Sequence, residues 1–248
     1  MSVTARSSHD MCQVLIEDPD LAETIPLADR ARAIQECTAR AANLSPGDLS
    51  GQSTGALNNG VGLLVLHGLL IRRVGIDGRF GAELLGDGDL LRPWQGEDEP
   101  PALPQTTGWR VLQPTRVALL DERFARRIAP YPQVIAGLVG RALQRSRNLA
   151  VNMAIHHPAR VEVRLHMLFW HLAGRWGRVR SDGINVPLRL THTVLADLVA
   201  ARRPTVTSAL TELSKRGVLN STHDGWLLSG EPPGELLELT PVPPNLAT

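Results

Sequence analysis

The chain has 248 residues, of which 43% are hydrophobic, and a formal net charge of +1; these values fit one large or two ordinary globular domains and exclude wholesale disorder. The longest dense apolar run, residues 60–71, is too short to span a membrane, and the N-terminus lacks a signal-peptide core, so we expect a soluble, cytoplasmic protein without membrane partners. Only Cys12 and Cys37 carry thiols, which excludes a disulfide framework or a four-cysteine metal site and leaves two packed or surface cysteines.

The charge is distributed unevenly along the chain. Residues 1–120 carry 10 basic and 15 acidic side chains, whereas residues 121–220 carry 16 basic and 6 acidic ones. Residues 221–248 contribute four acidic side chains and no basic one. A basic block of this kind is typical of a module that binds a polyanion, although solvated helix faces give the same pattern.

The first 40 residues are predicted to be helical, and helix formers continue from residue 28 to residue 44, where a turn signal follows. From there to about Leu120, short apolar runs alternate with glycine-bearing turns. Residues 76–78, Ile-Asp-Gly, are a hairpin signal between two such runs. Many short strands with closely spaced turns predict an antiparallel β-roll or sandwich.

A polar, proline-rich loop is predicted at residues 95–105, and helices return after Asp121. Residues 132–156 carry a broad amphipathic stripe that is about seven turns long. Such a helix either packs on its own domain or pairs with a second copy, and two heptad registers fit equally well. A further amphipathic helix is predicted at residues 159–177, followed by a short extended run with an Asp-Gly turn.

Residues 191–210, THTVLADLVAARRPTVTSAL, contain two short helical patterns separated by Arg-Arg-Pro. Pro204 suits the first turn of the second helix, because its missing N–H would be unpaired there anyway. The pattern therefore predicts a helix-turn-helix, although an ordinary helical hairpin with a basic corner is the alternative. Asp224-Gly225 then predicts a hairpin that forms a wing, and a proline-rich, unstructured tail begins at residue 231.

The chemistry of this segment favours DNA binding. Arg202, Arg203, Thr205 and Ser208 are predicted to face outward at the start of the second helix, where a major-groove reader presents its side chains. Arginine contacts guanine with two hydrogen bonds. The remaining predicted contacts are to phosphates, from Thr191 and Thr193 at the first helix and from Lys215.

Residues 164–219, from RLHMLFWHLAGRWGRV through DGINVPLRLTHTVLADLVAARRPTVTSALTELSKRGVL, resemble the winged-helix domain of Crp/Fnr-family transcription regulators. VLHGLLIRRVGIDGRFGAELLGDGDLL resembles the central hairpins of that family's cyclic-nucleotide-binding-like roll. The resemblance implies a sensor roll at residues 1–128, a dimerisation helix at 129–159, a winged helix-turn-helix at 160–230 and a flexible tail at 231–248. It also implies a homodimer that binds a (pseudo)palindromic site and contacts RNA polymerase.

The chain departs from the family pattern at several positions. An arginine is retained at Arg203, but Pro204 and Ser208 replace a glutamate and an arginine, so we expect a target different from that of the cyclic-AMP-responsive members. The Gly-Glu pair that meets the ribose in cyclic-AMP binders falls on Arg92 and Pro93, and the Arg-Ser pair that meets the phosphate is missing. We therefore expect no cyclic AMP binding.

A pocket for an unidentified small effector is predicted at Arg92, Trp94 and Leu149, and Trp109 is a further lining candidate. Two alternatives stay open. One is an effector-independent regulator that acts through RNA polymerase contacts. The other is a haem- or gas-sensing variant with His67 as ligand. The oxygen-sensing cysteine cluster is absent from the sequence.

The sequence favours neither an enzyme nor a resident metal or cofactor. It contains no Walker A loop, no H-E-x-x-H and no G-x-S-x-G motif. His156 and His157 are adjacent, so on a helix their side chains point about 100° apart and are best interpreted as helix-end surface residues. His166 and His171 are five positions apart and miss the four-residue spacing of a metal pair.

Overall fold

The computed structural model describes residues 10–49, 60–92 and 103–232. Predictions for the first nine residues, for Pro93 and Trp94, for most of the proline-rich loop and for the tail beyond residue 232 lie outside these ranges. The chain divides into two units, Met1–Leu149 and Ala150–Thr248. Each unit has its own sheet.

The first unit is built on an antiparallel sheet in which neighbouring strands follow the order β1-β2-β7-β4-β5, with β3 paired to β7 and β6 to β4. Its strands are β1 (Asp10–Gln13), β2 (Thr38–Leu44), β3 (Gly47–Asp48), β4 (Gly62–Ile76), β5 (Arg79–Gly86), β6 (Leu90–Leu91) and β7 (Thr106–Leu120). The predicted hairpin at residues 76–78 is confirmed, because Asp77 and Gly78 have φ of 51° and 70° and join β4 to β5. Two consecutive positive φ values are those of the hairpin turn that matches strand twist.

The sheet separates two apolar cores. Along β4, Leu64 and Leu66 belong to one core, whereas Leu63 and Val65 belong to the other. This alternation follows from the two-residue period of a strand, which sends successive side chains to opposite faces. The first core also includes apolar residues of three short helices, α1 (Val14–Glu17), α2 (Pro19–Glu23) and α3 (Leu27–Glu36).

The prediction of a helix through residue 44 is wrong beyond Glu36. Residues 38–44 form β2, which pairs with β1 on one side and with β7 on the other. Ala39 and Ala41 are fully buried on one face of this strand. Alanine favours a helix in isolation, but pairing and burial between two strands override that weak preference. Residues 10–13, predicted as helix, likewise form β1.

Two helices follow the sheet, α4 (Glu122–Ile128) and α5 (Pro132–Ile155). Asp121 caps α4, since its carboxylate accepts a hydrogen bond from the N–H of Phe124 at 3.0 Å. The long helix predicted at residues 132–156 is confirmed as α5. The boundary between the two units falls within it.

Two arginines of α5 form ion pairs within the first unit. Arg145 donates to both carboxylate oxygens of Glu83, with Nη2–Oε1 and Nε–Oε2 distances of 2.5 and 3.1 Å, and to the carbonyl of Leu90. Arg141 pairs in the same two-pronged way with Asp18 and donates to the carbonyl of Gly88 at 3.1 Å. Both carboxylates are buried, so these pairs neutralise charge that burial alone would disfavour.

After α5, the second unit contains three helices, α6, α7 and α8, and a four-stranded sheet of order β10-β11-β9-β8. Its elements after α5 are α6 (Val161–Trp176), β8 (Arg178–Arg180), β9 (Gly183–Val186), α7 (His192–Leu198), α8 (Arg203–Lys215), β10 (Leu219–Ser221) and β11 (Trp226–Leu228). The α+β prediction is thereby confirmed: an antiparallel N-terminal sheet, a long helix and a C-terminal winged helix-turn-helix.

None of the helices in the described part of the chain combines the length and apolar character needed to cross a membrane. The two cysteines are packed rather than exposed: Cys12 and Cys37 both belong to the first core. Burial raises the pKa of both thiols, and for Cys37 the pKa reaches about 11.

Candidate nucleic-acid interface

Helices α7 and α8 meet at the tight corner predicted around Arg-Arg-Pro. On the inner side, α7 buries Leu195 and Leu198. The inner face of α8 buries Val206 and Leu213, so apolar contact holds the two helices together. Pro204 lies in the first turn of α8, where no helical hydrogen bond needs its N–H. The helix-turn-helix prediction is confirmed.

The corner is held by donors from outside the two helices. His156 donates from Nε2 to the carbonyl of Leu198 at 2.9 Å. Arg164 donates from Nη1 to the carbonyls of Val199 and Ala200, at 3.2 and 3.4 Å. These carbonyls end α7 and have no partner within the helix, so the two side chains act as its C-terminal cap. His156 is half-buried, which corrects the prediction of a surface histidine.

All the residues predicted to bind DNA are exposed in the structure. They are Thr191, Thr193, Arg202, Arg203, Thr205, Ser208 and Lys215. The hydroxyl of Thr191 also accepts a hydrogen bond from the N–H of Val194 at 3.3 Å and caps α7, as the sequence predicts. The exposed side of α8 therefore combines cations with hydroxyl groups, while its opposite side is buried.

The hydroxyl of Ser208 is already oriented by the helix. Its Oγ donates to the carbonyl of Pro204 at 3.3 Å, one turn earlier. The proton of the hydroxyl is therefore directed at the backbone, and the oxygen lone pairs remain available on the outer side. In this orientation Ser208 presents an acceptor to a ligand, not a donor.

The predicted wing is confirmed as the hairpin β10–β11. Its turn is closed by Thr222, which accepts from the N–H of Gly225 at 3.1 Å and donates to Asp224 at 2.9 Å. Asn185 on β9 donates to the same carboxylate at 3.1 Å. The hydrogen bonds from Thr222 and Asn185 hold the pKa of Asp224 below its usual range.

The wing is anchored to α6 by an aromatic contact. The rings of Phe169 and Trp226 lie with centroids 5.0 Å apart and tilted by 49°. Both side chains are buried. Because tilted pairs of this kind are favourable, the wing keeps a defined position beside the helix-turn-helix.

The predicted effector pocket is described only in part. Arg92 is exposed and donates to the carbonyl of Gly60 at 3.3 Å, and Leu149 is half-buried on α5. Trp94 lies outside the described residues. Trp109 is half-buried, with the guanidinium of Arg72 5.7 Å from its ring centroid. The pocket therefore stays a prediction.

His67, the candidate haem ligand, and His166 have different surroundings in the structure. The side chain of His67 is 82% exposed and pairs with Asp87 at 3.3 Å, so it lies at the surface and not in an apolar pocket suited to haem. His166 is buried and accepts a hydrogen bond from the indole N–H of Trp170 at 3.1 Å. It is thus a packed core histidine.

A search of curated protein sequences gives no significant match. A family model described as the Crp-like helix-turn-helix domain matches residues 163–228. Residues 163–228 form a Crp-like domain. The match covers both α7 and α8 and ends at the last residue of the wing strand β11.

Solved structures share the fold over most of the chain. A cyclic nucleotide-binding domain containing protein from Listeria monocytogenes aligns with a TM-score of 0.62 at 14% identity, covering 85% of this chain and 96% of that one. A CooA mutant from Carboxydothermus hydrogenoformans gives 0.59 at 17% identity, with coverages of 82% and 88%. The c-di-GMP responsive regulator CLP of Xanthomonas campestris gives 0.57 at 15% identity, with coverages of 86% and 100%.

Residues 163–228 therefore carry a Crp-like helix-turn-helix domain, and the fold shared with the solved structures extends over most of the chain. The resemblance of this segment to the Crp-like helix-turn-helix domain is confirmed by the same match. At these identities the solved structures support the fold, and the comparison carries no assignment of effector or target.

Two residues at the surface of the Crp-like domain were not predicted from the sequence. His192 on α7 lies 2.9 Å, from Nδ1 to Oγ1, from Thr207 on α8. Thr207 is exposed and lies on the same side of α8 as Arg203, one turn later. No sequence motif links the two residues, since they are brought together only when the corner folds. The four-residue spacing between Arg203 and Thr207 could have indicated from the sequence that both residues lie on the same face of the helix.

Proposed function

We propose that the protein binds a (pseudo)palindromic DNA site as a homodimer, with α8 of each subunit in the major groove. The observation that carries this proposal is the exposed basic start of α8, at Arg202 and Arg203, above a fully buried inner face. A recognition helix needs this combination, because its inner side must be fixed while its outer side stays free for base edges.

The exposed residues divide by the contacts that their chemistry allows. Arg203 reads a guanine through two hydrogen bonds, which contributes about 1–3 kcal/mol of discrimination against another base. Ser208, with its proton directed to the backbone, accepts from a base amino group. Arg202, Thr205 and Lys215 complete the contacts of α8, and Thr191 and Thr193 contact phosphates from α7.

The dimer is proposed to form along α5. Val134 and Leu138 on this helix are buried in their own unit, whereas Ile135, Val139 and Leu143 are 43%, 53% and 55% exposed. An exposed apolar stripe at four-residue spacing is suited to packing against a second copy. Of the two heptad registers that the sequence left open, we propose the one that places Ile135 and Val139 in the seam. Two recognition helices of such a dimer lie about 34 Å apart.

The first unit is proposed to be a sensor that does not take cyclic AMP, and its effector is an unidentified small molecule. The second candidate function is effector-independent regulation through contacts with RNA polymerase. It is favoured by Arg141 and Arg145, whose ion pairs with Asp18 and Glu83 and hydrogen bonds to the carbonyls of Gly88 and Leu90 fix α5 against the sheet through the chain's own side chains. The proposed domain limits remain 1–128, 129–159, 160–230 and 231–248.

The experiment is selection of binding sites from a random DNA pool with the full-length protein. Enrichment of an inverted repeat supports the dimer, and its half-site supplies the probe for affinity measurements. Arg203→Ala should relax preference at one base of each half-site. Lys215→Ala is the matched control, and it should weaken binding to all sequences alike and lower the salt slope by about one unit.

Each outcome has a separate meaning. Equal losses on every sequence for Arg203→Ala would refute base reading by this residue. An enriched site without inverted symmetry would refute the dimer. Enrichment without any added small molecule favours the effector-independent candidate, whereas enrichment only in the presence of cell extract metabolites favours a sensor.

A further inference from the structure

A short chain of hydrogen bonds connects α7 to α8 at the surface of the Crp-like domain. Nδ1 of His192 lies 2.9 Å from Oγ1 of Thr207. The same oxygen lies 3.1 Å from the carbonyl oxygen of Arg203, to which it donates. These contacts cross between the two helices beside the residues that are proposed to meet DNA.

The chemistry of the chain determines which ring nitrogen carries a proton. A threonine hydroxyl has one proton, and a carbonyl oxygen only accepts, so the proton of Thr207 is directed to Arg203. Both hydrogen bonds form together only when the oxygen of Thr207 accepts from Nδ1–H of His192. In this arrangement neutral His192 has a bare Nε2, which is an acceptor, while protonated His192 keeps the bond to Thr207 and gains an N–H donor and a positive charge.

Thr207 lies on the exposed stripe of α8 that includes Arg203 and Thr211 at four-residue spacing. Its partner His192 lies directly after Thr191, which is proposed to contact a phosphate. A neutral imidazole with an acceptor at Nε2 cannot donate to a phosphate oxygen, but an imidazolium can.

We propose that His192 contacts a DNA phosphate and takes up a proton when it does so. This inference rests on the proposed function, because it requires that α7 and α8 face DNA. Thr207 acts as a positioning residue that orients the imidazole through Nδ1. DNA affinity then rises as the pH falls, because histidine is the side chain whose charge ordinarily changes between pH 5 and 8.

The charged surroundings suit a phosphate. Asp197 is five positions after His192 on α7, which places it about 140° away around the helix. Arg203 is one turn from Thr207 on α8. The charged side chains of α7, α8 and the segment before α7 are Arg189, Asp197, Arg202, Arg203, Glu212 and Lys215. Cations outnumber acids among them, which favours the approach of an anion.

The test is the affinity of the full-length protein for its selected DNA duplex between pH 5.5 and 8.5, by fluorescence anisotropy at constant ionic strength. Uptake of one proton changes affinity by at most tenfold per pH unit, and we expect about fivefold tighter binding at pH 6 than at pH 8. His192→Gln should lose the dependence of affinity on pH. Thr207→Val should reduce the pH dependence of DNA affinity, whereas Thr207→Ser, which keeps the hydroxyl, should retain this dependence.

His223 lies exposed in the wing, so His223→Gln is the control that tests whether this second histidine causes the pH dependence. Calorimetry at pH 7 in buffers of different ionisation enthalpy gives the proton uptake directly, and uptake should fall in His192→Gln but not in His223→Gln. A pH dependence that survives in His192→Gln, or disappears in His223→Gln, overturns the proposal. Wild-type binding that is tight but independent of pH overturns it while leaving the proposed function intact; no DNA binding at any pH would instead refute the proposed function.

Discussion

Replacing Ala200 by glycine should stabilise the second unit, because this alanine has a φ of +49° in the corner between α7 and α8. The left-handed conformation costs an L-residue about 1–2 kcal/mol, and glycine adopts it without that cost. Ala200 is exposed, so its methyl group contributes little burial that could be lost. Glycine also gains freedom in the unfolded chain, which costs about 0.4–1 kcal/mol.

The expected net gain for Ala200→Gly is about 0.5–1 kcal/mol, or about 2–8 °C in Tm for a unit of this size. Differential scanning calorimetry of the full-length protein measures it. Ala201→Gly is the matched control, because the neighbouring residue has no positive φ and should lose stability instead. DNA affinity should stay within about twofold in both variants. A decrease in Tm for Ala200→Gly as large as that for Ala201→Gly would refute the argument from strain.

Two further predictions concern the first unit. Glu83→Gln should lower the free energy of unfolding by about 3 kcal/mol in urea denaturation, because it leaves Arg145 without its buried charge partner. The control is Glu122→Gln, which removes an exposed ion pair and should lower the free energy of unfolding by less than about 0.5 kcal/mol. Equal losses in the two variants would contradict the assignment of a buried pair. Cys37 should react slowly with a thiol reagent at pH 8, since raising its pKa from 9.0 to about 11 lowers the thiolate fraction about 100-fold, and reaction should become fast above pH 11 or on unfolding. Rapid labelling of Cys37 in the folded protein at pH 8 would show that the thiol is not buried and that its pKa is not raised.

Features that depend on neighbouring residues could be predicted from the amino-acid order. The hairpin at residues 76–78, the long helix α5 and the helix-turn-helix around Pro204 each depend on neighbouring residues: turn residues with positive φ, an apolar stripe and a proline in the first turn. The exposure of the predicted DNA-binding residues follows from the same helical period. These predictions needed no knowledge of distant contacts.

The remaining features depend on contacts between residues that are distant in the chain. Residues 38–44 look helical by composition, but they form β2 because β1 and β7 pair with both of its edges. The contact of His192 with Thr207 and the capping of α7 by Arg164 join residues that are 15 and about 35 positions apart. Side chains at such separations meet only after helices have packed, so their hydrogen bonds have no local signature. Pairing and packing, not residue preference, determine where these groups lie.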